Sequence, residues 1–283
     1  MIVDFHTHIL PPQIKENRSY YINHDPCFAV LYSDPKAKIA TVDELISSMD
    51  KFGVDVSVIL NIGWTTHKLC SETNDYILES ISRYPKRLIG FCSIPIQSPE
   101  AAYKEIERCV NGGIIGIGEL RPDTQLLNNS SKQLINAIVD IIHKHNLFLL
   151  FHTSEPVGHT YPGKGSVTPE VLYPFIVANP NLKIICSHWG GGLPFYVLMP
   201  EVREALTNVY FDTAASPLLY HSQIYQQVIQ LIGADKILFG SDYPLLKQVR
   251  AIKEIEACNL SDSNKKLVLA GNASRLLGID LVL

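Results

Sequence analysis

The stretch that decides the fold is Ile2-Val3-Asp4-Phe5-His6-Thr7-His8, "IVDFHTH", directly after the first methionine, with a strand expected at 2–6. It reads as a short buried β-strand that ends in two histidines one residue apart. Seven more runs of the same kind follow, at 54–61, 87–94, 113–119, 147–152, 182–187, 208–212 and 236–240. Each is a nearly continuous apolar run, as expected of parallel strands covered on both faces. Between them lie amphipathic segments at about 42–52, 70–83, 98–110, 131–145, 169–178, 193–206, 217–232 and 245–257, with a last helix at 261–270. Several carry start signals: Thr41 with Glu44 three residues on, Ser98 before Pro99, and Ser261. Eight strand-helix units with no second compositional zone predict a TIM (β/α)₈ barrel formed as one domain over 1–283. An open doubly wound sheet is the rival, and the lack of a Gly-rich turn after the first strand disfavours it.

The bulk composition agrees with a globular enzyme. Of 283 residues, 46% are hydrophobic and 18% charged, enough for a large core. The net charge is −4 with scattered basic residues, so neither a nucleic-acid patch nor a membrane-surface face is expected. No apolar run reaches membrane-spanning length, and the first residues do not read as a targeting peptide. Cys27, Cys70, Cys92, Cys109, Cys186 and Cys258 are widely spaced, a pattern of reduced thiols in a cytoplasmic protein. The expected partner is a small-molecule substrate, and a homodimer is compatible with the sequence.

Function is written at the strand ends. On a barrel, the C-terminal ends of the strands form the mouth where sites are built. The first strand ends in His6 and His8, the fourth in Glu119, the fifth in His152, the sixth in His188 and the eighth in Asp242. Strand alternation places His6, His8 and Asp4 on one face, Glu119 with Ile115 and Ile117, and His152 with Phe148 and Leu150. If those apolar partners fill the barrel, four histidines and two carboxylates meet at one end. Such a group suits a divalent metal, zinc first, with manganese, iron or nickel as alternatives, as one ion or two. Taken singly, each residue has another reading. Glu119 can pair with Arg121, and Asp242 can cap the next helix ahead of Pro244. His143 and His145 fall at a helix end, and they, His67, His159 and His221 are not expected to be ligands. Long segments at 9–40 and 153–168 read as mouth loops, the first a lid carrying Tyr20, Tyr21 and His24. Trp64, Arg121, Trp189 and Tyr243 follow strands and are substrate-binding candidates. Arg121 can grip an anion or cap a loop, and the two tryptophans can wall a pocket or pack beneath the loops.

With "DFHTH", "FHT", "SHWGGGLPF", "LFGSDYPL" and the closing "LAGNASRLLGI" in this order, the chain resembles the amidohydrolase superfamily. Within it, the resemblance is to the amidohydrolase-related branch of aminocarboxymuconate-semialdehyde decarboxylase-like proteins. The resemblance implies that His6 and His8 are first-strand metal ligands. It implies that His152 is a ligand or a partner of metal-bound water, and that His188 is the sixth-strand histidine. Asp242 would bind metal and shuttle a proton, with Asp4 as a hydrogen-bond partner behind the ligands. Glu119 departs from the decarboxylase-like pattern and matches the bridging carboxylate of two-metal hydrolases. The expectation is therefore a metal-dependent hydrolase of an ester, lactone, amide or related bond, with His152, His188 and Asp242 as catalytic residues. The alternative is a metal-dependent decarboxylase of a small aromatic or enoic acid. A barrel that only binds is a third reading, which the full set of strand-end residues disfavours.

Overall fold

A computed structural model describes residues 1–95, 98–121 and 138–279. Eight parallel strands lie in chain order: β1 Val3–His8, β2 Val56–Leu60, β3 Leu88–Cys92, β4 Gly116–Leu120, β5 Phe148–Phe151, β6 Lys183–Cys186, β7 Val209–Asp212 and β8 Ile237–Leu238. The first and last strands meet through the amide of Phe5 on the Phe239 carbonyl (2.7 Å) and the amide of His8 on the Tyr243 carbonyl (2.7 Å). With helices between successive strands, this is the expected TIM barrel.

Two apolar layers build it. Inside, Phe5, Val58, Phe91, Phe148, Leu150 and Ile185 fill the lower barrel. The Phe91 ring stacks on Phe148 at 6.2 Å and meets Phe5 edge-on at 6.0 Å. Gly116 makes room for it, since a Cβ there would sit 2.4 Å from the Phe91 ring. Outside, Ile59, Ile117, Leu149, Ile184 and Phe211 pack against the helices through residues such as Leu45, Ile77, Ile106 and Val228.

The helices at Val42–Phe52, Pro99–Asn111 and Pro169–Ala178 lie close to the expected ranges, and the one at His67–Arg83 starts a turn early. Their caps form: the Thr41 amide donates to Glu44 (2.8 Å), and Ser98 and Ser261 accept from Ala101 and Asn264. Residues 138–145 are helical, while 131–137 of that expected helix lie outside the described residues. Two expected helices are broken. At 193–206 a 3₁₀ turn, Leu193–Tyr196, gives way to Pro200–Ala205, because Pro200 has no amide to continue a ladder. At 217–232 the chain forms Ser216–Leu219 and then Gln223–Ile232. The helix after β8 begins at Gln248, and the terminal one runs through a π-type turn, Leu267–Gly271, to Leu277.

The segment 9–40 is not an open loop. It folds into three short helices, Pro12–Glu16, Arg18–His24 and Pro26–Tyr32. Pro12 and Pro26 take first-turn positions, and Asp25 caps the third helix by accepting from the Phe28 amide (2.9 Å). The same carboxylate accepts from the Thr65 amide and hydroxyl (2.9 and 2.7 Å), fastening the segment to the chain after β2.

Candidate active site

Strand alternation alone does not bring the site residues together; two bulges do. In β1 the register shifts between Asp4 and Thr7, and in β4 between Ile117 and Leu120. Ile117 belongs to the outer, helix-facing layer, yet Glu119 two residues on points into the barrel mouth. The expected shared face of Glu119 and Ile117 is thus corrected: the extra residue rotates the strand by one side. Gly118 makes that possible at φ 151°, where a Cβ would lie 2.7 Å from the Leu150 carbonyl. Asn61, after β2, holds the bulge from both sides. Its amide donates to Gly118 (3.0 Å) and its carbonyl accepts from Glu119 (2.7 Å). The Asn61 side chain is itself fixed by Thr73, Asn74 and the Trp64 indole.

Asp4 is corrected in the same way. It pairs in register with Ser57 and faces outward, accepting from Ser241 N (2.9 Å), Ser241 Oγ (2.6 Å) and Gln248 Nε2 (2.8 Å). It fastens β1 to the turn after β8 and does not bond an imidazole. Burial pushes its carboxyl up to about 6, against the pull of those hydrogen bonds. At β5 alternation does hold: Phe148 and Leu150 fill the barrel, and His152 follows on the same side at the mouth.

The structure gathers all six expected residues. His6 Nε2 and His8 Nε2 are 3.0 Å apart. Glu119 Oε1 lies 3.8 Å from His6 Nε2, 3.5 Å from His188 Nε2 and 3.0 Å from His152 Nδ1, and Glu119 Oε2 lies 3.9 Å from His8 Nε2. Asp242 Oδ1 stands 3.6 Å from His8 Nε2 and 3.8 Å from His6 Nε2. His188, Trp189 and Asp242 all have left-handed backbones, with φ of 53°, 59° and 64°. Side chains other than glycine rarely take that conformation, and such strain gathers at functional sites.

One residue of the site went unread in the sequence. Asp212, fully buried at the end of β7, accepts from His6 Nδ1 (2.8 Å) through Oδ2. Its Oδ1 accepts from the amides of His188 (2.9 Å) and Ala214 (3.0 Å). The signal was present: "VYFD" ends in a carboxylate, the same cue that singled out the other strand ends. Asp212 turns His6 Nε2 toward the cluster, and the Ala214 carbonyl, 3.0 Å from His188 Nδ1, does the same for His188.

The electrostatics call for a cation. Burial disfavours charge at His6, but Asp212, Glu119 and Asp242 overcome it and push the imidazole up to about 10. Burial also opposes ionisation of Glu119, yet His152, His188 and His6 hold it well below the usual carboxylate range. Burial and then the Arg121 charge push His152 down to about 4, and burial and His6 push His8 down. The buried imidazoles are thus pushed in opposite directions around the same carboxylates. A divalent ion would supply the positive charge that protons supply otherwise. The donor geometry fits one. His6, His8 and Glu119 offer atoms within 4.8 Å of one another, as do Glu119, His152 and His188. Two imidazole nitrogens at about 2.1 Å from one ion stand roughly 3.0–3.4 Å apart, the spacing of His6 and His8.

A cavity of about 360 Å³ opens above this cluster. His8, Glu119, Arg121, His152, His188 and Asp242 form its floor. Of the four substrate-binding candidates, only Arg121 lines it. Trp64 and Trp189 are fully buried elsewhere. Trp64 stacks on Phe28 at 5.5 Å, and Trp189 lies edge-on to Tyr225 at 5.0 Å with its indole donating to Ser216. Tyr243 is half-buried against the helix-facing layer. Large amphipathic rings at strand ends serve as packing here. Tyr20, Tyr21 and His24 also stand off the cavity; Leu31 and Tyr32 contribute to its wall instead, as does His159.

A barrel with a buried histidine-carboxylate ring at its mouth defines an enzyme of the amidohydrolase superfamily, and the chain belongs to the amidohydrolase family, whose model matches residues 3–279. Its relatives narrow the class. The chain is 25% identical to the 2-amino-3-carboxymuconate-6-semialdehyde decarboxylase of Dictyostelium discoideum over an alignment of 352 positions, covering 98% of this chain and 92% of the relative. The structure of 5-carboxyvanillate decarboxylase from Sphingomonas paucimobilis superposes with a TM-score of 0.78 at 17% identity, covering 99% of each chain. That of a dihydroxybenzoic acid decarboxylase from a Polaromonas species, with bound manganese and the inhibitor 2-nitroresorcinol, gives 0.73 at 21% identity, covering 98% and 97%.

These findings overturn the expectation of a hydrolase, since relatives that span the chain are decarboxylases. Zinc as the particular ion finds no support either. A fourth-strand carboxylate such as Glu119 is not by itself a mark of hydrolysis. In the structure it is the common partner of four histidines, a role that does not specify the reaction. Among the described residues, no helix is long and apolar enough to cross a membrane.

Proposed function

We propose that this chain is a metal-dependent decarboxylase of a small aromatic or enoic carboxylic acid. The observation that carries this reading is a decarboxylase relative aligned along nearly the whole chain. The cavity supports it, being large enough for one substituted ring, with Leu31, Ile62, Leu218, Leu219 and Leu245 in its walls.

We assign His6, His8, Glu119, His152, His188 and Asp242 as the residues that would hold the ion, for which manganese is the choice suggested by the Polaromonas relative. When bound, the ion supplies Lewis acidity that orients and polarises an oxygen of the substrate. The chain's own residues do the rest. Apolar walls exclude water from the carbon that loses carbon dioxide. As the bond to the carboxylate breaks, its electron pair stays on that carbon, which must then gain a proton. Asp242 Oδ1, at the cavity floor beside His8 and partly open to solvent, is placed to take up a proton from water and pass it to that carbon. His152 and His188, both held by Glu119, complete the polar wall facing the substrate. The reading treats residues 1–283 as one barrel domain. It places the enzyme in the cytoplasm on the strength of six widely spaced cysteines, none of which forms a disulfide with another described residue.

The test is carbon dioxide release by manganese-loaded protein from a panel of hydroxybenzoic, carboxyvanillic and enoic acids, with metal content measured in parallel. Release with formation of the matching decarboxylated product is expected from at least one acid. Metal-replete protein that releases none from any of them sinks the reading.

A further inference from the structure

Three imidazoles of the ring are tied to the fold through the nitrogen that faces away from it. His6 Nδ1 is held by Asp212 (2.8 Å) and His188 Nδ1 by the Ala214 carbonyl (3.0 Å), both at or just past the end of β7. His152 is held differently. Its Nδ1 faces Glu119 (3.0 Å), and its Nε2 lies 3.2 Å from the hydroxyl of Ser154. Ser154 is fully buried and belongs to the 153–168 segment, which forms a wall of the substrate cavity.

Ser154 also closes the neck of that segment. Its amide donates to the Val167 carbonyl (2.9 Å), and its Oγ accepts from the Gly165 amide (2.9 Å). Its main chain is wedged against Gly191, where a Cβ would collide with the Ser154 carbonyl. Residues 155–164, pinched off by these bonds, supply His159, Tyr161, Pro162 and Gly163 to the cavity wall. Lys164 Nζ braces the wall from within, donating to the carbonyls of Val157 (2.8 Å) and His159 (3.1 Å).

A hydroxyl suits this position because it both donates and accepts. With a proton on His152 Nδ1, Ser154 donates to Nε2. With Nδ1 given to an ion, Nε2 donates to Ser154 Oγ, which keeps a second lone pair for the Gly165 amide. An ion on the ring holds the imidazole in one orientation, and the loop neck hangs from the same hydroxyl. Ordering one end of this chain lowers the cost of ordering the other.

We propose that Ser154 is a positioning residue that couples the 153–168 cavity wall to the ion-binding ring, so that manganese binding and closure of this wall favour each other. The proposal rests on the assignment of the ring as an ion site and is independent of the reaction. The factor by which the ion stabilises the closed wall equals the factor by which the closed wall tightens the ion. The wall that meets the substrate is then fully formed only in the metal-loaded protein.

The experiment follows hydrogen exchange of the 155–166 amides with and without manganese, and manganese affinity by equilibrium dialysis, in wild-type, Ser154→Ala and Ser154→Thr proteins. In the wild type, manganese is expected to slow exchange about 2- to 10-fold, the range of one net hydrogen bond. Ser154→Ala is expected to lose that protection and to bind manganese more weakly by a similar factor, and Ser154→Thr, which keeps the hydroxyl, to regain both. A merely structural serine would loosen the loop with or without the ion and leave the effect of manganese on exchange unchanged. The proposal fails if manganese binds the wild type without slowing exchange in the loop, a result that needs no variant. It fails equally if folded Ser154→Ala, checked by its melting temperature, keeps either the protection or the full affinity. Wild-type protein that takes up no manganese overturns the ion assignment and this coupling together. Manganese uptake with loop protection, but no carbon dioxide release from any acid, overturns only the decarboxylase reading.

Discussion

The lower and upper halves of the barrel interior are built from the same strands by opposite means. Below, Phe5, Phe91, Phe148 and Leu150 fill space with carbon, and the layer is complete in itself. Above, within a few residues on the same strands, His6, His8, Glu119 and His152 crowd polar atoms into a buried ring that wants a cation. The lower half obeys the strand repeat. The upper half is reached by breaking it, with bulges in β1 and β4 and left-handed residues after β6 and β8. Stability and chemistry are thereby stacked along the barrel axis, and substitutions in the two halves should separate them.

The largest separation is expected from Asp242→Asn. It removes the proposed proton carrier from the upper ring and should lower carbon dioxide release about 10²–10⁴-fold, with the melting temperature little changed. A full-rate variant would remove Asp242 from the chemistry. Phe91→Ala does the opposite. It empties the centre of the lower layer and should cost about 3–5 kcal/mol in denaturant unfolding, while the purified, folded fraction keeps its metal content. An intermediate effect is expected from Asp212→Asn, which weakens the support of His6 without touching the cavity. Manganese affinity should fall about 10- to 100-fold in equilibrium dialysis, and unchanged affinity would break the link between Asp212 and the ring.

The smallest effect belongs to Asp4, on the outer face of β1. Its pKa is raised from 3.8 to about 6, so the folded state binds that proton more tightly than the unfolded chain. Its contribution to stability is full below about 3.8 and is lost as pH rises through about 6, at no more than about 1.4 kcal/mol per pH unit. Asp4→Asn should flatten that slope in unfolding curves recorded between pH 4 and 6.5. Parallel wild-type and variant curves would show that Asp4 does not titrate there.

The same contrast explains what could be read from the sequence. The eight apolar runs reported the barrel because parallel strands buried on both faces leave an unmistakable composition. The ring residues are legible from their place at strand ends, but strand alternation gives the direction of only some of them. Alternation predicts His152 correctly from Phe148 and Leu150. It fails for Glu119 and Asp4, because a bulge is set by pairing with a neighbouring strand and by Asn61, distant in sequence. Asp212 carries the same strand-end cue as Asp242, but a carboxylate that faces only a histidine and backbone amides gives no separate signal in the sequence. Trp64, Trp189 and Tyr243 were misplaced because a strand-end position does not say whether a ring turns toward the cavity or beneath the loops. The helices within 9–40 were hidden by their shortness: two turns capped by Pro12, Pro26 and Asp25 make little periodic signal.

The left-handed backbone of His188 carries a consequence for how this ring can change over time. Because of it, the His188 amide reaches Asp212 Oδ1 while Asp212 Oδ2 holds His6. Residues from the first and sixth strands therefore share one carboxylate, and one of them depends on main-chain shape rather than on its side chain. A replacement at 188 that resists positive φ would loosen a histidine 182 positions earlier in the chain. Substitutions at 6, 188 and 212 should be non-additive, so descendants of this protein would retain these three positions together or remodel them together.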